Sequence, residues 1–383
     1  LRLAIFADTY LPQVNGVART LTRISSYLRN QDVPFLIFVP DCGPLPPNSE
    51  NVYNFPSLNL PLYPECKIAL PYYPRIRKIL DEFKPDLLHL VTEFSMGLCG
   101  LKYAQEHSLP VVASYTTNFS QYMDYYKLGF LENLTWRYLR WFHNQCHLNY
   151  CPSQTVKDEL EKEGFRNITI WGRGIDANLF SPAKKSDILK KIAPDKSLFY
   201  LYVGRLAPEK NLDVLFDAWR IVSKGLPEAQ LVITGDGPIA EELKRRYGEG
   251  VIFTGYRHGE ELAQVYASGD VFVFPSTTET FGNVVLEAMA AGLPVVAAAA
   301  GGVKNLLVDG DNGIACGPRN HYEMAVAMLS LAQNNELRAK MSFQARQFAL
   351  KQTWDGVLGS LHNSYKEVIT WPKAPFKSAS LGA

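Results

Sequence analysis

The chain is short of the features that mark several protein classes. Six cysteines among 383 residues, none in a Cys-x-x-Cys pair, are too few and too scattered for a disulfide scaffold, a structural zinc site or a dithiol redox centre. Charge of one sign is lacking too: 39 Lys plus Arg stand against 38 Asp plus Glu, a formal net charge of +1. No global field therefore gathers nucleic acid, and a nucleic-acid partner is not expected. The most apolar stretch, Ala288 to Ala300, has 13 residues and is broken by Gly292 and Pro294, whereas a membrane-spanning helix needs about 20. The opening Leu-Arg-Leu-Ala-Ile-Phe-Ala is too short for the apolar core of a signal peptide, so the expected location is cytoplasmic. No strand pattern runs into Gly-x-Gly-x-x-Gly or Gly-x-x-x-x-Gly-Lys-[Ser/Thr], which argues against dinucleotide oxidoreductases and P-loop kinases.

What is present is an α/β alternation. The length suggests two domains at roughly 150 residues each, and 47% hydrophobic with 20% charged residues is an ordinary globular balance. Continuous apolar runs at Leu3 to Ala7, Phe35 to Val39, Asp86 to Val91, Pro110 to Tyr115, Leu148 to Cys151 and Ile168 to Trp171 read as strands buried on both faces. The pattern restarts at Phe199 to Val203, Gln230 to Thr234, Val251 to Phe253, Val271 to Phe274 and Pro294 to Ala298, with helices between. Two Rossmann-like, doubly wound domains are expected, residues 1–175 and 176–353, joined through the turn-rich stretch Gly172 to Pro182. A last amphipathic helix begins at Trp354.

Three strand-end segments carry chemistry. The first strand leads through Asp8-Thr9-Tyr10-Leu11-Pro12-Gln13-Val14-Asn15-Gly16 into a helix expected near Ala18, so Asn15 and Gly16 form a turn whose amides either meet an anion or simply close the loop. Gly204-Arg205-Leu206-Ala207-Pro208-Glu209-Lys210-Asn211 follows the Phe199 to Val203 strand. Its two cations either neutralise a diphosphate, or Lys210 pairs with Glu209 or faces water. In Glu279-Thr280-Phe281-Gly282-Asn283-Val284-Val285-Leu286-Glu287 a loop carboxylate precedes a helix start and a second carboxylate follows within it. Such a segment suits phosphate at the helix N-terminus with hydroxyls on the acids, or two acids complementing the helix dipole.

These segments together resemble the retaining glycosyltransferases of family 4, which have the GT-B fold of two Rossmann-like domains facing a cleft. Glu279 and Glu287 match E-x7-E, Gly204 to Asn211 match G-R-x-x-x-E-K-N, and Pro12 to Val17 match P-x-x-N-G-V. Val112 to Tyr115 with Asn118-Phe119, Cys151-Pro152-Ser153, Gly174-Ile175-Asp176 with Phe180, and Ala291 to Val296 agree in order, so the resemblance covers roughly residues 1 to 370. It implies a metal-independent hexosyltransferase using a nucleotide diphosphate sugar as co-substrate and no cofactor, with no protein nucleophile. By resemblance, the diphosphate falls to Arg205 and Lys210 with the amides near Asn15, Gly16, Phe281, Gly282, Asn283 and Val284. Sugar hydroxyls fall to Glu279, the ribose to Glu287 and the base to Tyr256 and Arg257. The transfer step itself is assigned to Glu279, Arg205 and Lys210, the acceptor side to Tyr115, Thr116 and Asn118. The last helix, within residues 354–383, is expected to cross back onto the N-terminal, acceptor-side domain.

Two departures from the family pattern stand out. Thr116 follows Ser114-Tyr115 where many relatives have His, and Gly301-Gly302-Val303-Lys304-Asn305 lacks the Glu of G-G-V-P-E. Asp309-Gly310-Asp311 sits among turn formers and reads as a loop, not as a metal motif. The opening segment is most like mannosyl- and sulfoquinovosyl-type lipid glycosyltransferases, which points to GDP-mannose or a UDP-sugar as donor and to a membrane lipid as acceptor. Tyr72 to Leu80, with Arg75, Arg77 and Lys78, and the aromatic-rich Tyr122 to Trp141 are the segments for peripheral contact with the inner face of a membrane, or else core stripes with a solvated face. A soluble or polysaccharide acceptor, and a two-lobed sugar-nucleotide binding protein without turnover, remain the alternative readings.

Overall fold

The computed structural model describes residues 1–372 apart from 14, 46, 48, 61–62 and 117–131. The chain divides into two compact units. One holds the described residues up to Gly172 together with those from Asp355 onward, and the other spans Arg173–Trp354.

The first unit is built on β1 (Leu3–Phe6), β2 (Phe35–Pro40), β3 (Val52–Phe55), a separate antiparallel hairpin of β4 (Ser57–Leu60) and β5 (Tyr63–Ala69), then β6 (Leu87–Leu90), β7 (Val111–Ser114), β8 (Leu148–Cys151) and β9 (Ile168–Ile170). Its seven-stranded sheet runs β3-β2-β1-β6-β7-β8-β9, every pair parallel. A hairpin cannot join parallel neighbours, and helices make the crossovers except between β2 and β3, which a loop connects. β1, β2, β6 and β7 are buried at every position, as their largely apolar runs require, with His89 in β6 and Ser114 in β7 the polar exceptions. The helix Gly16–Asn30 starts two residues before the expected Ala18, because Asn15 caps it: its Oδ1 accepts the Ala18 N–H at 2.8 Å.

The helix Trp354–Val368 lies, from Asp355 onward, on this first unit. His89, buried in the middle of β6, bonds Tyr365 Oη through Nδ1 and Ser114 Oγ through Nε2, both at 2.7 Å. Tyr150 Oη meets Ser364 Oγ at 2.8 Å, and the Trp171 indole N–H donates to the Val357 carbonyl. A polar residue in a fully buried strand needs such partners, and here they tie the helix to three strands.

The second unit comprises β10 (Leu198–Val203), β11 (Ala229–Thr234), β12 (Val251–Gly255), β13 (Val271–Phe274), β14 (Val295–Ala298) and β15 (Gly313–Cys316), arranged β12-β11-β10-β13-β14-β15 and all parallel. Strand order reverses between β10 and β13, the topological switch point where open α/β sheets leave a crevice at the strands' carboxyl ends. Its core gathers residues of these strands and of the helices Leu212–Gly225, Gly259–Ser268, Asn283–Ala290, His321–Gln333 and Asn335–Leu350.

Candidate functional site

Two loops flank the switch point of the second unit. After β10, Gly204 to Ala207 lead into a single 3-10 turn, Pro208–Lys210. After β13, Pro275 to Gly282 lead into the helix Asn283–Ala290. The loops meet at one ion pair: Lys210 Nζ lies 2.6 Å from Glu279 Oε1, with side-chain exposures of only 11% and 19%. Lys210 thus pairs with the distant Glu279, whereas its sequence neighbour Glu209 has a fully buried carboxyl with no hydrogen-bond partner among the described residues. Ser276, itself fully buried, donates its hydroxyl to the same Glu279 Oε1 at 3.0 Å. The loops are further tied by Asn211 Nδ2 donating to Thr277 Oγ1 at 3.0 Å and by Thr278 Oγ1 donating to the Glu209 carbonyl.

Tyr202, at the end of β10, underlies this cluster and donates its hydroxyl to the Arg205 carbonyl at 3.0 Å. Burial pushes its phenol well above the ordinary range, with Lys210 opposing the shift and Glu279 and Glu209 adding to it. It is therefore a neutral donor that fixes the Arg205 backbone.

The Glu279 loop is held from behind by a glycine pair. Gly302 N–H donates to the Glu279 carbonyl at 2.6 Å. A Cβ on Gly302 would fall 2.1 Å from the Thr280 carbonyl oxygen, and one on Gly301, whose φ is +54°, 2.5 Å from that of Glu279. Only glycines let these backbones approach. Gly301-Gly302 therefore supports Glu279 even though the Glu of the family's G-G-V-P-E is missing. Gly282, in the left-handed region at φ +99°, caps the helix Asn283–Ala290, so the chain turns sharply and the amides at Asn283 and Val284 lie at a helix start.

Glu287 sits in the second turn of that helix, and its Oε2 accepts from the Tyr266 hydroxyl at 2.9 Å. Phe281 is 8% exposed and belongs to the core. Past the end of β12, Tyr256 is 49% exposed and stacks on His258 with ring centroids 6.1 Å apart. The Arg257 guanidinium is engaged by Glu261 and by the Thr254 carbonyl. Tyr266 and Ser276 escaped the sequence reading. Ser276 lies two residues beyond the β13 run, where a position behind the first glutamate was the available clue.

In the first unit, Asn15 and Gly16 stand at the corresponding β1 end, the Asn15 amide committed to the helix cap and to Thr9 Oγ1 at 2.8 Å. Beside them Asp8 is buried and accepts from Thr92 Oγ1 at 2.6 Å, Ser95 Oγ at 3.0 Å and Met96 N–H at 3.0 Å. Burial raises its carboxyl above the ordinary value, and those bonds oppose the shift. Tyr115 is 1% exposed, its ring set edge-on to His143 and Phe165. Thr116 is half-buried, and Asn118 lies outside the described residues. So do Tyr122, Tyr125, Tyr126 and Phe130 of the aromatic segment. Trp136 packs in the core, and the Tyr138 hydroxyl donates to the Glu93 carbonyl. In the helix Tyr73–Phe83, Ile76 and Leu80 face inward and Arg75 covers the Phe55 ring, while Arg77 lies 3.6 Å from Asp81. In the Asp309 to Gly313 turn, Asp309 Oδ1 accepts the Ala315 N–H at 2.9 Å.

The chain as a whole is similar to known proteins. Residues 14–179 match the family described as Glycosyltransferase Family 4 and residues 198–334 match Glycosyl transferases group 1. A GDP-mannose-dependent alpha-mannosyltransferase of Mycobacterium tuberculosis is 32% identical over 96% of this chain and 97% of its own. Sulfoquinovosyl transferase SQD2 of Arabidopsis thaliana is 31% identical over 97% of this chain and 74% of its own. An alpha-monoglucosyldiacylglycerol synthase of Streptococcus pneumoniae is 29% identical over 81% and 74%. Among solved structures, HepE of Anabaena in complex with UDP superposes with a TM-score of 0.79 at 21% identity, covering 96% of this chain and 100% of that one.

Proposed function

The chain belongs to the glycosyltransferases of family 4, and from that premise we propose that it transfers a hexosyl group from a nucleoside diphosphate sugar to a lipid acceptor. The observation that carries this reading is the meeting of Lys210 and Glu279 at the switch point of the second unit. A diphosphate needs cations and amide donors, a sugar needs a carboxylate acceptor, and both lie on two adjoining loops. Arg205 and Lys210 would take the phosphates, helped by the amides at Asn283 and Val284, with Glu279 on the sugar, Glu287 on the ribose and the Tyr256 ring against the base.

In this reading the bond from sugar C1 to the phosphate oxygen breaks while positive side chains and amide dipoles absorb the charge growing on the leaving diphosphate. The acceptor oxygen bonds C1 from the face the diphosphate leaves, and the acceptor proton passes to a phosphate oxygen. Configuration is retained, with neither a metal ion nor a protein nucleophile taking part. Two features favour a lipid acceptor. Two relatives are named alpha-monoglucosyldiacylglycerol synthase. Leu58, Leu70 and Tyr72, exposed by 60%, 50% and 66%, precede the helix that carries Arg75, Arg77 and Lys78, a pairing of apolar and cationic groups suited to an anionic bilayer surface. Among the described residues no helix is long and apolar enough to cross a membrane, so such contact would be peripheral.

The test is nucleoside diphosphate release from a panel of GDP- and UDP-sugars, with diacylglycerol in anionic vesicles or soluble sugars as acceptor. Release with vesicles is expected, and Lys210→Ala should lower kcat/KM about 10- to 150-fold, the worth of a charged hydrogen bond. Replacing Arg75, Arg77 and Lys78 with Ser should reduce sedimentation with the vesicles. Full activity of Lys210→Ala would move the diphosphate elsewhere. Nucleotide binding without turnover on any pair would return the reading to a binding protein.

A further inference from the structure

A cation that is to hold phosphate is here already held by a carboxylate. Lys210 Nζ and Glu279 Oε1 are 2.6 Å apart in a largely buried setting, and the Ser276 hydroxyl keeps the same oxygen in place. The Glu209 carboxyl lies buried in the same loop. A diphosphate arriving at Lys210 meets one of two situations. It draws the ammonium away and leaves Glu279 without its cation, or it shares the ammonium and brings a second anion beside the carboxylate. Both oppose binding, since an uncompensated buried charge and two close like charges are each unfavourable. A sugar on the diphosphate changes the balance, because its hydroxyls donate hydrogen bonds to the carboxylate and replace what the ammonium gave.

We propose that Glu279 occupies the phosphate's place on Lys210 and thereby makes the site prefer a diphosphate that carries a sugar over the bare nucleoside diphosphate. Resting on the donor site proposed above, this gives Glu279 a second task besides sugar recognition. It biases the site toward substrate and against product, so that the bare diphosphate is released once the sugar has left. Ser276 is a positioning residue for this arrangement, acting through the Glu279 oxygen that it holds.

The experiment is calorimetric titration of the full chain with GDP, UDP, GDP-mannose and UDP-glucose, without acceptor, together with product inhibition of donor turnover. The wild type should bind the sugar-bearing nucleotide more tightly than its bare diphosphate. Glu279→Gln keeps the size and the Ser276 contact but removes the charge. It should bind the bare diphosphate at least about fivefold more tightly, the lower end of ordinary coupling between sites, and the sugar-bearing nucleotide no better than before. Ser276→Ala should move the diphosphate constant in the same direction by a smaller factor, and product inhibition should strengthen in both variants. A merely structural role for either residue would weaken both ligands together. Weaker or unchanged diphosphate binding in both variants overturns the inference while leaving the donor site standing, provided Arg205→Ala weakens every nucleotide. If the wild type binds no nucleotide, or Arg205→Ala changes nothing, the donor site itself fails and the inference with it.

Discussion

Lys210 and Glu279 are 69 residues apart in the chain, and their contact depends on β10 and β13 being neighbours in the sheet. Sequence alone offered Glu209 or water as partners for Lys210, and no local pattern could favour the distant carboxylate. The ordered motifs single out both residues, and the roles proposed for them toward phosphate and sugar come from the family resemblance. Their pairing was not legible, because it is a product of strand order. The same holds for Tyr266, whose helix contributes a hydroxyl to Glu287 from 21 positions away, and for His89, which reads as an anomaly inside Leu87–Leu90 until Tyr365 and Ser114 are seen on either side of it.

A pH dependence belongs to this scale. His147 accepts the Val111 N–H on its Nδ1 at 3.2 Å, a bond that requires a ring unprotonated at that nitrogen. Burial holds its pKa below the ordinary histidine value. The unfolded chain therefore binds this proton more readily than the folded one. The stability that the neutral ring contributes is present above about pH 6.5 and is lost as pH falls through the depressed folded value. His147→Gln should flatten the acid side of the stability profile measured by urea unfolding between pH 7.5 and pH 5. An acid limb parallel to that of the wild type would mean that other groups carry the loss.

Among elements, legibility followed the apolar runs, each of which is a strand here. Most are buried on both faces as expected, but Ile168–Ile170, expected to be buried, is half-buried to exposed, and Val251–Gly255 is buried only at Val251. β3 and β15 were missed for different reasons: β3 is interrupted by Asn54, whereas the short Gly-Ile-Ala-Cys run of β15 directly follows the polar turn Asp309 to Asn312. The hairpin of β4 and β5 was also missed, with Leu58 and Ile68 paired across it and both exposed. The helix Gly16–Asn30 began earlier than expected because an Asn cap outweighs the poor helix propensity of Gly16.

The Gly301-Gly302 turn yields the prediction at this scale. Its backbone bond to Glu279 and the tight approach to Thr280 mean that Gly302→Ala must push the Glu279 loop away. The expected cost is about 1–3 kcal/mol of stability, as for overpacking, along with lower donor affinity. Thermal unfolding and nucleotide-sugar titration check the two. Wild-type donor affinity in a destabilised variant would separate the turn from the site.

For the whole molecule, two doubly wound sheets and an ordered series of motifs were readable from the residues, and the chain's membership of glycosyltransferase family 4 agrees with that reading. What the residues did not announce is that Lys210 and Glu279, the groups proposed for phosphate and sugar, pair with one another. The most direct measurement is a crystal structure of the chain soaked with a nucleoside diphosphate sugar. Its diphosphate should lie against Lys210 and Arg205 at the ends of β10 and β13, with a sugar hydroxyl on Glu279 and the ammonium no longer committed to that carboxylate. A nucleotide bound away from these two loops, with Lys210 still closed on Glu279, would contradict it.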